Sequence, residues 1–180
     1  MGVEAANVYA DTSSQFKDKD FVFNLAKYAE KSAYRYTDTN PNTKKERKLT
    51  SVTICVEKSS AALVRNVELG YNVGRGANTA RNLGNRPANH ATPTYIADQV
   101  KELAKVVKGF KVNVLEEADM EKLGMGSLLS GSRGSVEPAT WGPMEYNGGQ
   151  KGAKPYVLVG NGFTFDTGGI SLKPGAKMDE

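Results

Sequence analysis

Residues 157–173 read Val-Leu-Val-Gly-Asn-Gly-Phe-Thr-Phe-Asp-Thr-Gly-Gly-Ile-Ser-Leu-Lys and hold the clearest architectural signal in this 180-residue chain. The apolar run Tyr156–Val159 predicts a short buried strand. The glycines around Asp166 predict a tight loop after that strand. The loop places one carboxylate, Asp166, and one cation, Lys173, just beyond the strand. Because ligands in α/β folds bind beyond the carboxyl ends of strands, the stretch predicts an α/β fold with a site at this loop.

The rest of the chain alternates between helical and strand patterns. Helix caps, apolar spacing and glycines predict the following elements: a loop or arm over 1–19, helices from Asp20 to about Tyr36, from a cap at Ser59 or Ser60 to about Leu83, from Thr92 to Gly109 and over 118–123, strands over 49–56 and 110–115, and a loop over 124–155 with a weak strand around 141–146. Helices alternating with apolar strands indicate an α/β fold of three layers, a sheet flanked by helices.

Two glycines, Gly70 and Gly74, lie on one face of the second predicted helix. Each glycine costs a helix about 1 kcal/mol relative to alanine, so their presence calls for a compensating contact. The pair therefore predicts a narrow helix face against which another backbone packs closely.

The composition limits the classes of partner. The chain has 24 Lys and Arg residues against 20 Asp and Glu residues. Its one dense basic run, residues 44–48, has no interleaved aromatics, which favours a solvated loop over a nucleic-acid-binding patch.

The single cysteine, Cys55, excludes an intrachain disulfide and is predicted to be an inert, half-buried thiol in a strand. No secretory signal and no run of about 18 apolar residues is present, so we expect a cytoplasmic location without a membrane partner.

Both charged residues of the loop have a structural and a functional interpretation. The sequence Asp-Thr-Gly-Gly favours a turn, and Lys173 precedes a proline. In the structural interpretation, the loop is therefore an ordinary turn with a solvent-facing lysine. In the functional interpretation, the Asp166 carboxylate binds a divalent cation. The Lys173 ammonium then faces oxygen charge that develops during hydrolysis.

Other catalytic constellations fit the sequence poorly. Aspartic protease chemistry needs two aspartates that share a proton, and the chain has one Asp-Thr-Gly. His90 is the only histidine, and no Gly-x-Ser-x-Gly nucleophile elbow accompanies it. Gly160-Asn161-Gly162 lacks the third glycine of a dinucleotide fingerprint.

A much longer pattern surrounds the loop. Residues 157–174, followed by Met178-Asp179-Glu180, closely resemble the metal-binding signature of the leucyl (cytosol) aminopeptidase family. Residues 80–89 with 92–97 resemble the opening of that family's catalytic domain, and 121–126 also fits. The chain is identified as a member of this family over about residues 20–180.

The resemblance implies a metallo-aminopeptidase that releases amino-terminal, leucine-like residues from peptides. It implies two divalent cations, Mn²⁺ or Zn²⁺ with Mg²⁺ or Co²⁺ as alternatives, and a homohexameric assembly. Asp166 matches a carboxylate metal ligand, and Lys173 matches the catalytic lysine that polarises the carbonyl and stabilises the oxyanion. Nucleic acid is not among the expected partners.

Asn161 departs from the family pattern, which has a metal-binding lysine at this position. An asparagine carbonyl binds hard ions but is a weak donor to zinc, so we expect weaker occupancy of one metal position. The departure keeps an alternative open: a catalytically inactive relative retained as a structural or assembly subunit.

The resemblance also implies a division of the chain. Residues 1–48 match an N-terminal arm and linker helix, and residues 49–180 match the first part of a truncated catalytic domain. The family's remaining metal ligands would follow Glu180. We therefore expect the 180-residue chain to be inactive by itself.

Overall fold

The computed structural model describes residues 3–9, 18–39 and 48–178, without the side chains of Asp18 and Lys177. Its elements, in chain order, are β1 Ala5–Tyr9, α1 Asp18–Ser32, β2 Ser51–Cys55, α2 Ala61–Asn85, α3 Pro93–Val106, β3 Phe110–Val112, α4 Glu117–Lys122, α5 Gly126–Ser132, β4 Met144–Tyr146 and a 3₁₀ turn Gly175–Lys177. The elements form two compact units, one ending at Arg86 and the other beginning at Pro87. The predicted division into residues 1–48 and 49–180 stays a prediction.

The first unit contains a two-stranded parallel sheet. β1 pairs with β2 from Ala5–Ser51 to Tyr9–Cys55, and α1 lies between the two strands in the sequence. The loop predicted for residues 1–19 is therefore wrong at Ala5–Tyr9. Val8 is the one aliphatic side chain larger than alanine in this strand, which forms because a partner more than forty residues away supplies its hydrogen bonds. β2 confirms the strand predicted over 49–56, and Cys55 is half-buried as expected.

The α1–α2 pair forms the core of the first unit. Val22 and Ala26 of α1 are buried, and so are Gly70 and Gly74 of α2. A Cβ atom built on Gly70 would lie 2.9 Å from the Phe23 carbonyl carbon and closer still to its oxygen. The backbones of the two helices touch at this point, which confirms the predicted narrow face.

The ends of these helices follow from local chemistry. The Ser60 hydroxyl accepts a hydrogen bond from the Leu63 backbone N–H at 3.3 Å and caps α2, so Ser60 is the cap of the two predicted candidates, Ser59 and Ser60. α1 ends at Ser32, before the predicted Tyr36. Tyr34 instead turns toward α2, where its hydroxyl donates to Asn82 Oδ1 at 2.8 Å and its ring lies under Arg81.

The second unit begins with the predicted α3. The Thr92 hydroxyl accepts from the Tyr95 backbone N–H at 3.2 Å, and Pro93 occupies the first turn. β3 pairs with β4 in antiparallel fashion, which confirms both the strand at 110–115 and the weak strand near Tyr146. Met120 of α4 is fully buried. Helix α5, Gly126–Ser132, lies in a stretch for which the sequence predicts a loop, and that prediction is wrong.

The predicted strand at Tyr156–Val159 does not form. The segment has no strand pairing, and Tyr156, Leu158 and Val159 are 102%, 97% and 93% exposed. Apolar residues favour a strand, but a strand also needs a neighbour for its backbone groups, and no described strand lies alongside. The α/β class is confirmed, with the described strands arranged in two separate pairs.

Membrane spans were expected to be absent. Across the described residues, each helix is too short or too polar to traverse a lipid bilayer.

Candidate active site

The structure brings Asp166 and Lys173 together on one loop. Asp166 Oδ1 accepts a hydrogen bond from the Gly168 backbone N–H at 2.8 Å. Its other oxygen, Oδ2, lies 3.8 Å from Lys173 Nζ. The Asp166 side chain is 63% exposed and the Lys173 side chain 34% exposed. The two groups therefore form a solvent-accessible ion pair in which one carboxylate oxygen is held by the backbone.

The loop closes on itself through its backbone. The Lys173 N–H donates to the Thr167 carbonyl at 2.8 Å, which returns the chain to Asp166. Gly168 has a φ of 87°, a conformation that side-chain-bearing residues rarely adopt. A Cβ there would lie 3.2 Å from the Lys173 backbone N and collide with the Ser171 carbonyl oxygen. Glycine at 168 is thus what allows the aspartate and the lysine to meet.

Asn161 is exposed. Its side chain has no hydrogen bond to any residue in the described ranges, Asp166 and Lys173 included. The neighbouring Gly162 has a φ of 60°, a left-handed conformation that favours glycine. The sequence-based expectation that Asn161 occupies a metal position stays a prediction.

A contact that the sequence did not predict supports the segment between Asn161 and Asp166. A Cβ built on Gly131 of α5 would lie 3.3 Å from Cζ of Phe163. The Phe163 ring therefore rests against α5 where α5 has no side chain. The four-residue spacing of Met125 and Leu129 is the apolar signal from which a helix here could have been predicted.

The chemistry of the side-chain oxygen atoms determines whether these residues could bind a metal ion. The Asp166 carboxylate and the Asn161 amide carbonyl are oxygen ligands of the kind that hard divalent cations accept. Among the described residues, no group of three or more His, Cys, Asp or Glu side chains could hold a metal ion. The described residues therefore fit a contribution of oxygen ligands to a metal site, and they do not by themselves fit a two-metal centre.

The single histidine of the sequence, His90, lies in a turn. His90 is exposed, and its backbone N–H donates to the Pro87 carbonyl at 2.8 Å.

Similar sequences among known proteins are described as cytosol aminopeptidases. Residues 78–180 match the cytosol aminopeptidase family, catalytic domain. A probable cytosol aminopeptidase of Thioalkalivibrio sulfidiphilus is 60% identical over 114 residues, which are 63% of this chain and 23% of the relative. A probable cytosol aminopeptidase of Aromatoleum aromaticum is 43% identical over 182 aligned positions, covering 98% of this chain and 36% of the relative. The chain thus spans about a quarter to a third of these relatives' length.

Solved structures of other proteins have folds similar to that of this chain. The bottromycin maturation enzyme BotP in complex with Mn aligns with a TM-score of 0.78 and 30% identity, over 96% of this chain and 35% of BotP. A tomato leucine aminopeptidase mutant aligns with a TM-score of 0.66 over 78% of this chain and 29% of its own, and its 19% identity supports the fold alone. The family match covers more than half of the chain and includes the whole Asp166–Lys173 loop. The chain belongs to the cytosol aminopeptidase family.

Proposed function

We propose that this chain supplies part of the active site of a metal-dependent aminopeptidase that removes leucine-like residues from the amino termini of peptides. The observation that carries the proposal is the Asp166–Lys173 pair, held 3.8 Å apart by a closed loop inside the family match. Because the chain spans 23% to 36% of its curated relatives, the remaining metal ligands and the substrate pocket are proposed to come from the rest of the active protein.

Asp166 would be a carboxylate ligand, and Asn161 would offer an amide oxygen. When bound, a divalent cation would polarise the scissile carbonyl and lower the pKa of an attacking water. The Mn in the BotP complex supports a divalent cation for this chain too. Two ions, Mn²⁺ or Zn²⁺ with Mg²⁺ or Co²⁺ as alternatives, remain part of the proposal.

Lys173 would provide a fixed positive charge. The loop places its ammonium beside the Asp166 carboxylate, so a carbonyl group presented to Asp166 would lie within its field. Such a charge stabilises the oxyanion of the tetrahedral intermediate more than it stabilises the neutral carbonyl, which lowers the barrier to amide hydrolysis.

The names of the relatives support a cytosolic location, and family membership supports peptides as substrates. A homohexamer is proposed from the resemblance alone. Neither a membrane nor nucleic acid is included among the proposed partners.

The experiment that tests this function is hydrolysis of leucine p-nitroanilide in the presence of Mn²⁺. It compares the full translation product of the gene that encodes this chain with the 180-residue chain alone. We expect turnover by the first and none by the second. Absence of turnover by the full product at every metal concentration would contradict the proposal.

That contrary result would favour a second function, an inactive subunit that only takes part in assembly. The observation that favours it is Asn161, which stands where the family pattern has a metal-binding lysine. Analytical ultracentrifugation of the full product, alone and mixed with an active relative, would show whether such a subunit enters the oligomer.

Asn161→Lys is expected to tighten binding at one of the metal positions by about tenfold, because a neutral amine is a better donor to a borderline ion such as zinc. Isothermal titration of the metal-free full product with Zn²⁺ measures both positions. Asn147→Lys, at another exposed asparagine of the same unit, adds the same charge elsewhere and should leave both affinities unchanged. Equal affinities in the parent protein and in Asn161→Lys would contradict the expectation.

A further inference from the structure

A solvent-open cavity of about 450 Å³ lies between α4 and α5 in the second unit, and none of the residues that line it is buried. Its volume falls within the range of about 300–1,000 Å³ typical of small-molecule sites. Neither Asp166 nor Lys173 lines it. It is therefore separate from the site described above.

One wall of the cavity is acidic. Glu117 and Glu121 lie four residues apart, so both project from the same face of α4. Glu117 Oε1 accepts a hydrogen bond from the Ala139 backbone N–H at 2.9 Å, and Ala139 is buried. Glu117 is thereby fixed to the scaffold, whereas the Glu121 side chain is exposed.

A cation and an apolar floor complete the lining. Arg133 follows the last residue of α5, and the half-buried Met125 and Leu129 lie between the charged groups in the sequence. Within the described ranges, neither Glu121 nor Arg133 has an ion-pair partner closer than 4.0 Å. The two opposite charges thus share one cavity without neutralising each other directly.

We propose that this cavity binds a free α-amino acid with an aliphatic side chain. Its ammonium group would pair with Glu121, its carboxylate would accept two hydrogen bonds from the Arg133 guanidinium, and its side chain would lie on Met125 and Leu129. The choice of leucine-like ligands rests on the proposed function, of which they are products. The charge arrangement of the cavity does not depend on that function.

The test is an NMR titration of the metal-free 180-residue chain with L-leucine, followed at backbone amides of residues 117–135 and at the Met125 methyl group. We expect saturable shifts at these positions, with a Kd of about 1 mM. N-acetyl-L-leucine lacks the ammonium and L-leucinamide lacks the carboxylate, so each should bind at least about tenfold more weakly. The same titration of the full translation product, followed at Met125, should agree.

Two variants assign the charges. Glu121→Gln should weaken leucine binding about tenfold and leave the weak binding of N-acetyl-L-leucine, which has no ammonium, unchanged. Arg133→Met should likewise weaken leucine binding about tenfold and leave the weak binding of L-leucinamide, which has no carboxylate, unchanged. Glu102→Gln, at an exposed glutamate of α3, is the matched control and should change nothing.

Three results would overturn the proposal: no shift at residues 117–135, equal binding of leucine and its two blocked forms, or shifts produced by Mn²⁺ but not by leucine, which would indicate a cation site at the two glutamates. No metal or peptide enters the leucine titration. Its failure is therefore distinguishable from failure of the proposed peptidase activity, which the Lys173→Met variant tests at a residue outside this cavity.

Discussion

Replacing Lys173 with methionine is expected to lower kcat for leucine p-nitroanilide by about 10²–10³, with the full translation product as the enzyme. Methionine keeps the length and most of the apolar stem of lysine but removes the charge that would face the developing oxyanion. Because that charge would act mainly in the transition state, kcat should fall far more than KM changes. Steady-state kinetics at saturating Mn²⁺ measures both parameters.

The matched control for this prediction is Lys154→Met. Lys154 is an exposed lysine of the same unit, outside the Asp166–Lys173 loop. Its replacement should leave kcat within about twofold, as expected for a surface side chain outside the site. A Lys173→Met enzyme with kcat close to that of the control would contradict the proposed role of Lys173.

Alanine at Gly70 is expected to destabilise the first unit by about 2 kcal/mol, because its Cβ would overlap the Phe23 carbonyl group of α1. Backbone atoms cannot rotate away as a side chain does, so the two helices would have to separate. Urea unfolding followed by circular dichroism gives the free energy of unfolding. The same change at Gly76, also in α2, meets nothing within 4 Å and should stabilise by about 1 kcal/mol.

The opposite signs expected for two identical substitutions in one helix make this comparison informative. Loss of helix-breaking glycine favours both variants equally, so the difference between them measures the α1–α2 contact. Similar free energies of unfolding for Gly70→Ala and Gly76→Ala would mean that the helices do not pack as closely as the structure has them.

The parts of the fold that depend on local chemistry could be predicted from the sequence. Ser60 and Thr92 accept hydrogen bonds from N–H groups three residues ahead, and such caps are visible as short motifs. The close approach at Gly70 was also predictable, because a glycine inside a helix needs a compensating contact.

The errors concern elements whose formation depends on distant residues. β1 has a weak apolar pattern and exists because β2 pairs with it, whereas Tyr156–Val159 has a strong pattern and no described partner. Strand propensity describes how well side chains fit a sheet, and it does not supply the neighbouring strand. Helix α5 was missed because its glycine- and serine-rich sequence favours loops.

In the candidate site, too, the part that depends on local sequence was predictable and the rest was not. Asp166 and Lys173 are seven residues apart in a glycine-rich loop, so their meeting follows from a local turn around Gly168. Asn161 lies outside that turn, and nothing local in the sequence determines how close its side chain comes to Asp166.

The proposed activity requires Asp166 as a metal ligand, and the Gly168 amide is the most direct reporter of that role because its N–H donates to Asp166 Oδ1. Titration of the isotope-labelled full product with Mn²⁺ should broaden the Gly168 resonance before other amides, through the paramagnetic ion. Asp166→Asn should abolish this broadening, and Asp119→Asn, at an aspartate on α4, should preserve it. A Gly168 resonance that stays sharp at saturating Mn²⁺, or one that broadens equally in Asp166→Asn, would contradict the account.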